Sequence, residues 1–289
     1  MNAKKSTLMF VVVAITVLAL VAFPSSAYAN HSWGGYHWGR TSNAEFTLKM
    51  GDNVSGLWDG MFTTALSDWS QSSVLNLTKV AGGTTPKQCK PTSGRVEVCS
   101  ADYGGQQWLG VAQIWLSSGH IVQGTVKNND HYFGNSTYRY NNTAEMQHVI
   151  CQEIGHTFGL DHQDESGALY YTCMDYYHNT SNSDTVSTHP NQGDYDELLC
   201  IYDATKNGQT LTYSPPGKPG HSCKGTGHLD SSTTIGAATT SMPNEMANGD
   251  FSSPNSWGKL VSSNAHESTY VRDFGNGHQV VTFVIWAKE

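Results

Sequence analysis

Charged side chains are scarce in this chain. Aspartate, glutamate, lysine and arginine together make up 14% of its 289 residues. The acidic residues outnumber the basic ones by 24 to 16, which gives a formal net charge of −8 at pH 7. A protein that binds nucleic acid or an anionic membrane through its charge carries the opposite excess. We therefore expect neither nucleic acid nor an anionic membrane as a partner.

Long apolar runs are also lacking, apart from one near the N-terminus. Lys4 and Lys5 precede an apolar segment from Leu8 to Phe23, and Ala27-Tyr28-Ala29 fits a cleavage site with small flanking residues. The apolar segment is shorter than the ~20 residues that a membrane-spanning helix needs. The pattern is typical of a secretory signal peptide. We expect residues 1–29 to be removed and the protein to be secreted, with no membrane anchor after cleavage.

No two cysteines have the Cys-x-x-Cys spacing that is typical of zinc ligation by thiolates. All six cysteines follow the predicted cleavage site, and an even number in an exported chain indicates disulfides. Six cysteines allow 15 pairings. Pairing between sequence neighbours is the simplest, because each bridge closes a short loop. This arrangement joins Cys89 to Cys99, Cys151 to Cys173 and Cys200 to Cys223.

The order of predicted secondary structure indicates an α+β fold with a mixed sheet. One amphipathic helix is predicted over residues 54–69. A second is predicted from Asn142 to Phe158, with Glu145 completing a capping box, and a third from Asp194 to Tyr202. Strands are predicted over residues 46–50, 74–80, 95–101, 108–116 and 120–126.

The composition changes after about residue 204, where Gly, Pro, Ser and Thr become abundant. Such a composition is typical of a linker. Beyond it, residues 268–274 and 278–286 are strand-like and flank Gly275-Asn276-Gly277, which favours a hairpin turn. We predict one main domain over residues 30–205, a linker over 206–255 and a small β appendage over 256–289.

The run from Gln152 to His162 contains the side chains that are best suited to bind a metal or to catalyse a reaction. It matches the zinc-protease pattern H-E-x-x-H-x-x-G-x-x-H except at its first position. On a helix, an apolar stripe would bury one face and point Gln152 and His156 into a cleft, where the i, i+4 spacing lets two side chains share a metal. Glu153 lies beside them. Gly159 can end the helix in the left-handed conformation and turn the chain, so that His162 approaches the metal from a second direction.

This run resembles the signature of the metzincin zinc metalloproteases, which include the matrixins and astacins. The resemblance continues into Thr172-Cys173-Met174-Asp175-Tyr176, which is similar to the methionine turn of that group. It implies a metzincin-like catalytic domain over residues 30 to about 205, with a mixed sheet, the motif helix and a C-terminal helix. It also implies zinc as the cofactor. The implied substrate is a peptide or protein, bound extended along a sheet edge above the motif helix.

The resemblance also implies roles for individual residues. His156 and His162 are expected zinc ligands. Glu153 is the expected general base, which takes a proton from water and passes it to the leaving amine. Met174 is expected to form a hydrophobic base below the metal, and Tyr176 to be a ligand or to stabilise the oxyanion.

Gln152 stands where the signature has a histidine. An amide oxygen can bind a metal, but it is neutral and harder than imidazole, so it holds zinc less tightly. His148 lies about 6 Å further back along the helix axis and is not expected to reach the same metal. The third ligand is therefore Tyr176, Gln152 or Asp164, or zinc is bound weakly in a slow enzyme, or the site is inactive.

Retention of Glu153 favours an enzyme, because a metal site without a reaction has no need of a base. We interpret the chain as a secreted zinc-dependent metalloendopeptidase. The alternative is a catalytically inactive metzincin relative that acts as a secreted peptide- or protein-binding module. A disulfide-stapled adhesion protein is a more distant alternative.

Overall fold

The structure of the protein is a computed structural model. It describes residues 31–40, 42–163, 169–206, 209, 211, 223 and 242–287. The predicted signal peptide, Asp164 and most of the predicted linker lie outside the described residues. No described helix is long and apolar enough to cross a bilayer.

The described residues contain nine strands that join in one mixed sheet. The strands are β1 (His37–Trp38), β2 (Phe46–Asn53), β3 (Leu75–Ala81), β4 (Arg95–Ala101), β5 (Trp108–Ser117), β6 (His120–Asn129), β7 (Lys259–Ser263), β8 (Glu267–Gly275) and β9 (His278–Trp286). Their order is β3-β2-β4-β6-β5-β9-β8-β7, with the short β1 paired to β6 beside this path. Strands β2, β3, β4 and β6 run parallel, while β5 and the three C-terminal strands pair antiparallel with their neighbours.

Five α-helices accompany the sheet in the described residues. They are α1 (Asp59–Trp69), α2 (Asp130–Phe133), α3 (Thr143–His156), α4 (Gln192–Tyr202) and α5 (Asn244–Asn248). The three helices predicted from the sequence correspond to α1, α3 and α4. Helix α1 begins later than predicted, because the Trp58 amide donates to the Ser55 carbonyl in a turn that precedes it. The α+β class with a mixed sheet, a motif helix and a C-terminal helix is confirmed.

Helix α3 has clear start and stop signals. The side chain of Asn142 accepts a hydrogen bond from the Glu145 amide (2.9 Å), but the predicted capping box is only half formed, because the Glu145 carboxylate contacts His148 and His178 and the Asn142 amide donates to the Tyr140 carbonyl. The helix ends at His156, two residues before the predicted end. Gly159 then adopts a φ of 93°. A Cβ at Gly159 would lie 2.0 Å from the carbonyl oxygen of Tyr36, so glycine is required there for space as well as for conformation.

The predicted C-terminal hairpin is present and continues the main sheet. Its turn residues, Gly275, Asn276 and Gly277, all have positive φ. Strand β9 pairs antiparallel with β5 along the whole length of β5, from Trp108 opposite Trp286 to Ser117 opposite His278. The hairpin formed by β8 and β9, hereafter the C-terminal hairpin, therefore covers the edge that β5 would otherwise expose.

Three disulfides brace the fold. They join Cys89 to Cys99, Cys151 to Cys173 and Cys200 to Cys223, so the predicted neighbour pairing is confirmed. The second bridge ties α3 to the segment that resembles a methionine turn. This bridge matters for the site, because both of the segments it joins carry candidate functional residues.

Candidate metal centre

Helix α3 packs tightly beneath β5. A Cβ at Gly110 of β5 would lie 2.7 Å from Cγ1 of Val149 and 2.8 Å from Oε1 of Glu153. The glycine therefore permits the helix to approach the sheet and brings Glu153 directly under β5. Every residue of the helix from Ala144 to His156 is buried. Within the described residues, Gln152 and His156 are buried rather than facing an open cleft, and Phe283 of the C-terminal hairpin stacks on His156.

His156 and His162 come together as predicted. Their ring centroids are 4.6 Å apart and their planes are inclined by 79°. Both are buried, with exposed fractions of 1% and 6%. Nδ1 of His156 lies 2.9 Å from the carbonyl oxygen of Leu160. Nδ1 must then carry the proton, which leaves Nε2 with a lone pair that can bind a metal.

Glu267, at the start of β8, is the third group in this cluster. Its carboxylate contacts Nε2 of His162. His156, His162 and Glu267 each offer one ligand atom, and these atoms lie within 4.8 Å of one another. Glu267 was missed in the sequence, because it follows the linker and no local pattern marks it. Strand register brings it here, since it lies opposite Ile285, which in turn lies opposite Gly110.

Gln152 is close to this cluster but is partly engaged elsewhere. Its amide nitrogen donates to the carbonyl oxygen of Asp175 (3.1 Å). Its amide oxygen is buried and accepts no hydrogen bond from the described residues. Buried polar atoms are usually paired, so this oxygen is available as a weak metal ligand.

The segment of the predicted methionine turn lies against α3. Met174 is fully buried, and a Cβ at Gly155 would lie 2.6 Å from its sulfur. Tyr176 is partly exposed, and its ring centroid lies 4.4 Å from that of His162. The structure thus brings Met174 under the helix and Tyr176 beside His162.

Burial controls the ionisation of these groups. Burial raises the pKa of Glu153 well above its usual value and the charge of Glu267 raises it further, although His162 acts in the opposite sense. Burial and the neighbouring His162 lower the pKa of His156 to about 3. Burial also disfavours protonation of His162, but the carboxylates of Glu267 and Asp161 raise its pKa to about 10. His156 is therefore neutral and ready to bind a metal.

A second buried cluster lies about two turns earlier on α3. Glu145 contacts Nδ1 of both His148 and His178 and accepts a hydrogen bond from the Asn179 amide (2.6 Å). Nε2 of His148 lies 3.3 Å from the Asp175 carbonyl oxygen. His148 thus belongs to this network, hereafter the Glu145 cluster. The same carbonyl receives the amide of Gln152, which links the two clusters.

The family of the chain follows from comparison with known proteins. Residues 38–194, more than half of the chain, match the family model described as Matrixin (Peptidase_M10). The chain belongs to the matrixin family. A search of curated proteins finds no match. Among solved structures, the chain is similar to high choriolytic enzyme 1, a hatching enzyme zinc-protease from Oryzias latipes (medaka fish). The identity is 11% and the TM-score is 0.30, over 56% of this chain and 92% of that one.

The matrixins are a metalloprotease family. Their cofactor is zinc and their substrates are peptides or proteins. The donor set fits zinc, because two imidazoles and a carboxylate are ligands that zinc accepts in enzymes. The matrixin match includes the run from Gln152 to His162 and also Met174 and Tyr176. It ends before β8, so Glu267 lies outside it.

Proposed function

We propose that this matrixin is a secreted zinc endopeptidase in which His156 and His162 bind zinc and Glu153 is the general base. One observation carries the assignment. Two imidazoles meet at the end of α3, one of them fixed with its Nε2 lone pair free, and the buried carboxylate of Glu153 lies on the same helix. Secretion is supported by the N-terminal pattern and by the three disulfides.

The residues of the chain divide the proposed reaction between them. Zinc, when bound, makes water a nucleophile near neutral pH and polarises the scissile carbonyl. Glu153 accepts a proton from the attacking water and delivers it to the leaving amine. Its raised pKa suits this task, because a carboxyl group that shuttles a proton works best with a pKa near the operating pH. We assign to Tyr176 the stabilisation of the oxyanion, for which its position beside His162 is suitable.

Access to the site is part of the proposal. Strand β9 occupies the edge of β5 above α3, where an extended substrate is expected. Phe283 of β9 also stacks on the ring of His156, with centroids 4.2 Å apart and planes nearly parallel. A peptide reaches Glu153 only after the C-terminal hairpin has moved. We infer that the structure is a closed form, and that the observed rate scales with the fraction of open molecules.

The test is hydrolysis of a mixed-peptide library by the purified full chain supplied with zinc. Cleavage that a chelator abolishes is expected, with a decrease of about 10²–10⁴-fold in Glu153→Ala. Glu45→Ala is the matched control, because that carboxylate is exposed and lies just before β2, outside both the site and the C-terminal hairpin. Equal cleavage by Glu153→Ala would refute the assignment of the base. No cleavage by the zinc-loaded protein would instead favour a catalytically inactive relative that binds peptides or proteins.

A further inference from the structure

One of the three zinc-binding histidines expected from the signature is missing in this chain. Catalytic zinc sites use three protein ligands and keep one position for water. His156 and His162 supply two. Gln152, at the position of the third, is neutral and points its amide nitrogen at the Asp175 carbonyl. A third ligand of ordinary strength must therefore come from elsewhere in the chain.

Glu267 has a position that calls for an explanation. It is 3% exposed, and it shares a sheet face with Ile285, which is buried in the core. A strand position on such a face is normally apolar, since an ionised carboxylate is costly to bury unless it is paired or binds a metal. The contact that accounts for this carboxylate is the one with Nε2 of His162. That nitrogen is one of the two atoms through which His162 can bind a metal.

The backbone around Glu267 is held in place. The amide of Glu267 donates to the side chain of Asn264 (2.9 Å), and the amide of Trp286 donates to the carbonyl of His266 (2.7 Å). The start of β8 is thereby fixed against the end of β9, which is itself paired with β5. A ligand carried on paired strands is positioned more precisely than one on a loop.

We propose that Glu267 is the third protein ligand of zinc, with His156 and His162, in the closed form of the protein. The proposal rests on the proposed function in one respect, namely that zinc is the cofactor. Zinc then joins the C-terminal hairpin to α3. Because a peptide enters only when the hairpin moves, ligation by Glu267 and occupation of the site by substrate exclude one another.

The first experiment measures zinc affinity by competition with a chromophoric chelator, using the full chain. We expect about one zinc per chain in the wild type. We expect Glu267→Gln, which keeps the size of the side chain, to bind zinc at least about 100-fold more weakly, because loss of even an outer partner costs 10–100-fold. Gln152→Ala is the matched variant at the family position and should change the affinity by less than about 3-fold.

The second experiment asks whether the third site can be rebuilt. Gln152→His in the Glu267→Gln background returns a histidine to the family position and should recover most of the lost affinity. The visible spectrum of the cobalt-substituted protein should differ between the wild type and this double variant, because the ligand set has changed. Circular dichroism of the zinc-free variants establishes that each has folded.

A third experiment needs no variant. Hydrogen exchange of the wild type should slow on addition of zinc in both α3 and β8, because the metal bridges them. In Glu267→Gln, added zinc should protect α3 only. Protection confined to α3 in the wild type would overturn the proposal.

The remaining outcomes are distinct. Weak binding in Gln152→Ala with unchanged binding in Glu267→Gln would overturn the proposal and give the third position to Gln152, while the proposed function would stand. Unchanged binding in both variants would overturn it as well. A wild type that binds no zinc would overturn both the proposal and the proposed function.

Discussion

Helix α3 contributes to two buried clusters made of the same residue types, and they differ in how fully the carboxylate is hydrogen-bonded. In the Glu145 cluster, the carboxylate contacts two imidazoles and a backbone amide, and His148 also meets a carbonyl oxygen. In the cluster of His156, His162 and Glu267, the carboxylate contacts one imidazole, and the hydrogen bond of His156 leaves its Nε2 available. Proximity of histidines and glutamates therefore does not define a metal site, because a carboxylate that already accepts several hydrogen bonds has fewer lone pairs left for a metal. The Glu145 cluster is interpreted as structural.

Removal of Glu145 is the most severe test of this comparison. Glu145→Ala leaves His148 and His178 without their carboxylate in a buried environment. We expect the free energy of unfolding of the zinc-free protein to fall by about 3–5 kcal/mol. Chemical denaturation measures this loss. Zinc affinity should remain within a few-fold of the wild type, and a large loss of zinc would show that the Glu145 cluster is itself a metal site.

The pH dependence of stability tests the same network. Burial opposes ionisation of Glu145, but His178 and His148 lower its pKa to about 2 from an ordinary 4.5. Its contribution is therefore present above about pH 4.5 and is lost as the pH falls towards 2, with a magnitude of about 3 kcal/mol. The pKa of His148 is raised because the attraction of Glu145 outweighs burial. Its contribution is present below pH 6.5 and is lost as the pH rises through the folded-state pKa.

Urea unfolding of the wild type and Glu145→Gln between pH 2 and pH 9 measures these contributions. The difference in stability between the two proteins should be largest near pH 5 and decrease in both directions. A difference that is independent of pH would mean that the interaction of Glu145 with its histidines is not ionic.

Removal of zinc tests the cluster of His156, His162 and Glu267. Zinc at 100 times its dissociation constant should raise the free energy of unfolding by about 2.7 kcal/mol. Thermal unfolding with and without a chelator measures this increment. Glu145→Gln should keep the increment and Glu267→Gln should lose most of it. The opposite pattern would mean that zinc binds at the Glu145 cluster and that the cluster of His156, His162 and Glu267 is structural.

The smallest expected effect is that of Gln152→His in the otherwise unchanged chain. Histidine provides a permanent ligand on α3, so zinc affinity should increase by about tenfold, or about 1.4 kcal/mol. The variant should also hydrolyse peptides faster at limiting zinc, because the metal no longer depends on the hairpin. Chelator competition and peptide hydrolysis measure the two effects, and weaker zinc binding would contradict them.

The sequence was informative wherever the signal was local. The Asn142 cap, the turn at Gly159 and the C-terminal hairpin each depend on a few adjacent residues, and the structure contains all three. The pairing of β5 with β9 was beyond sequence reasoning, because partner choice between distant strands is set by packing and register. Glu267 was missed for the same reason. Its neighbours, Ser268 and Thr269, give no indication that it faces two histidines.

The position of β9 between β5 and β8 also affects how the protein reaches its native state. Gln113 of β5 donates a hydrogen bond to Thr282 of β9, 169 residues away in the sequence. Contacts between such distant residues form late, because the chain must first close a large loop. Until β9 docks, β5 exposes unpaired backbone groups and is open to pairing with another chain. Synthesis and folding of this protein therefore include an interval of vulnerability to aggregation that ends only when the last strand of the sheet is in place.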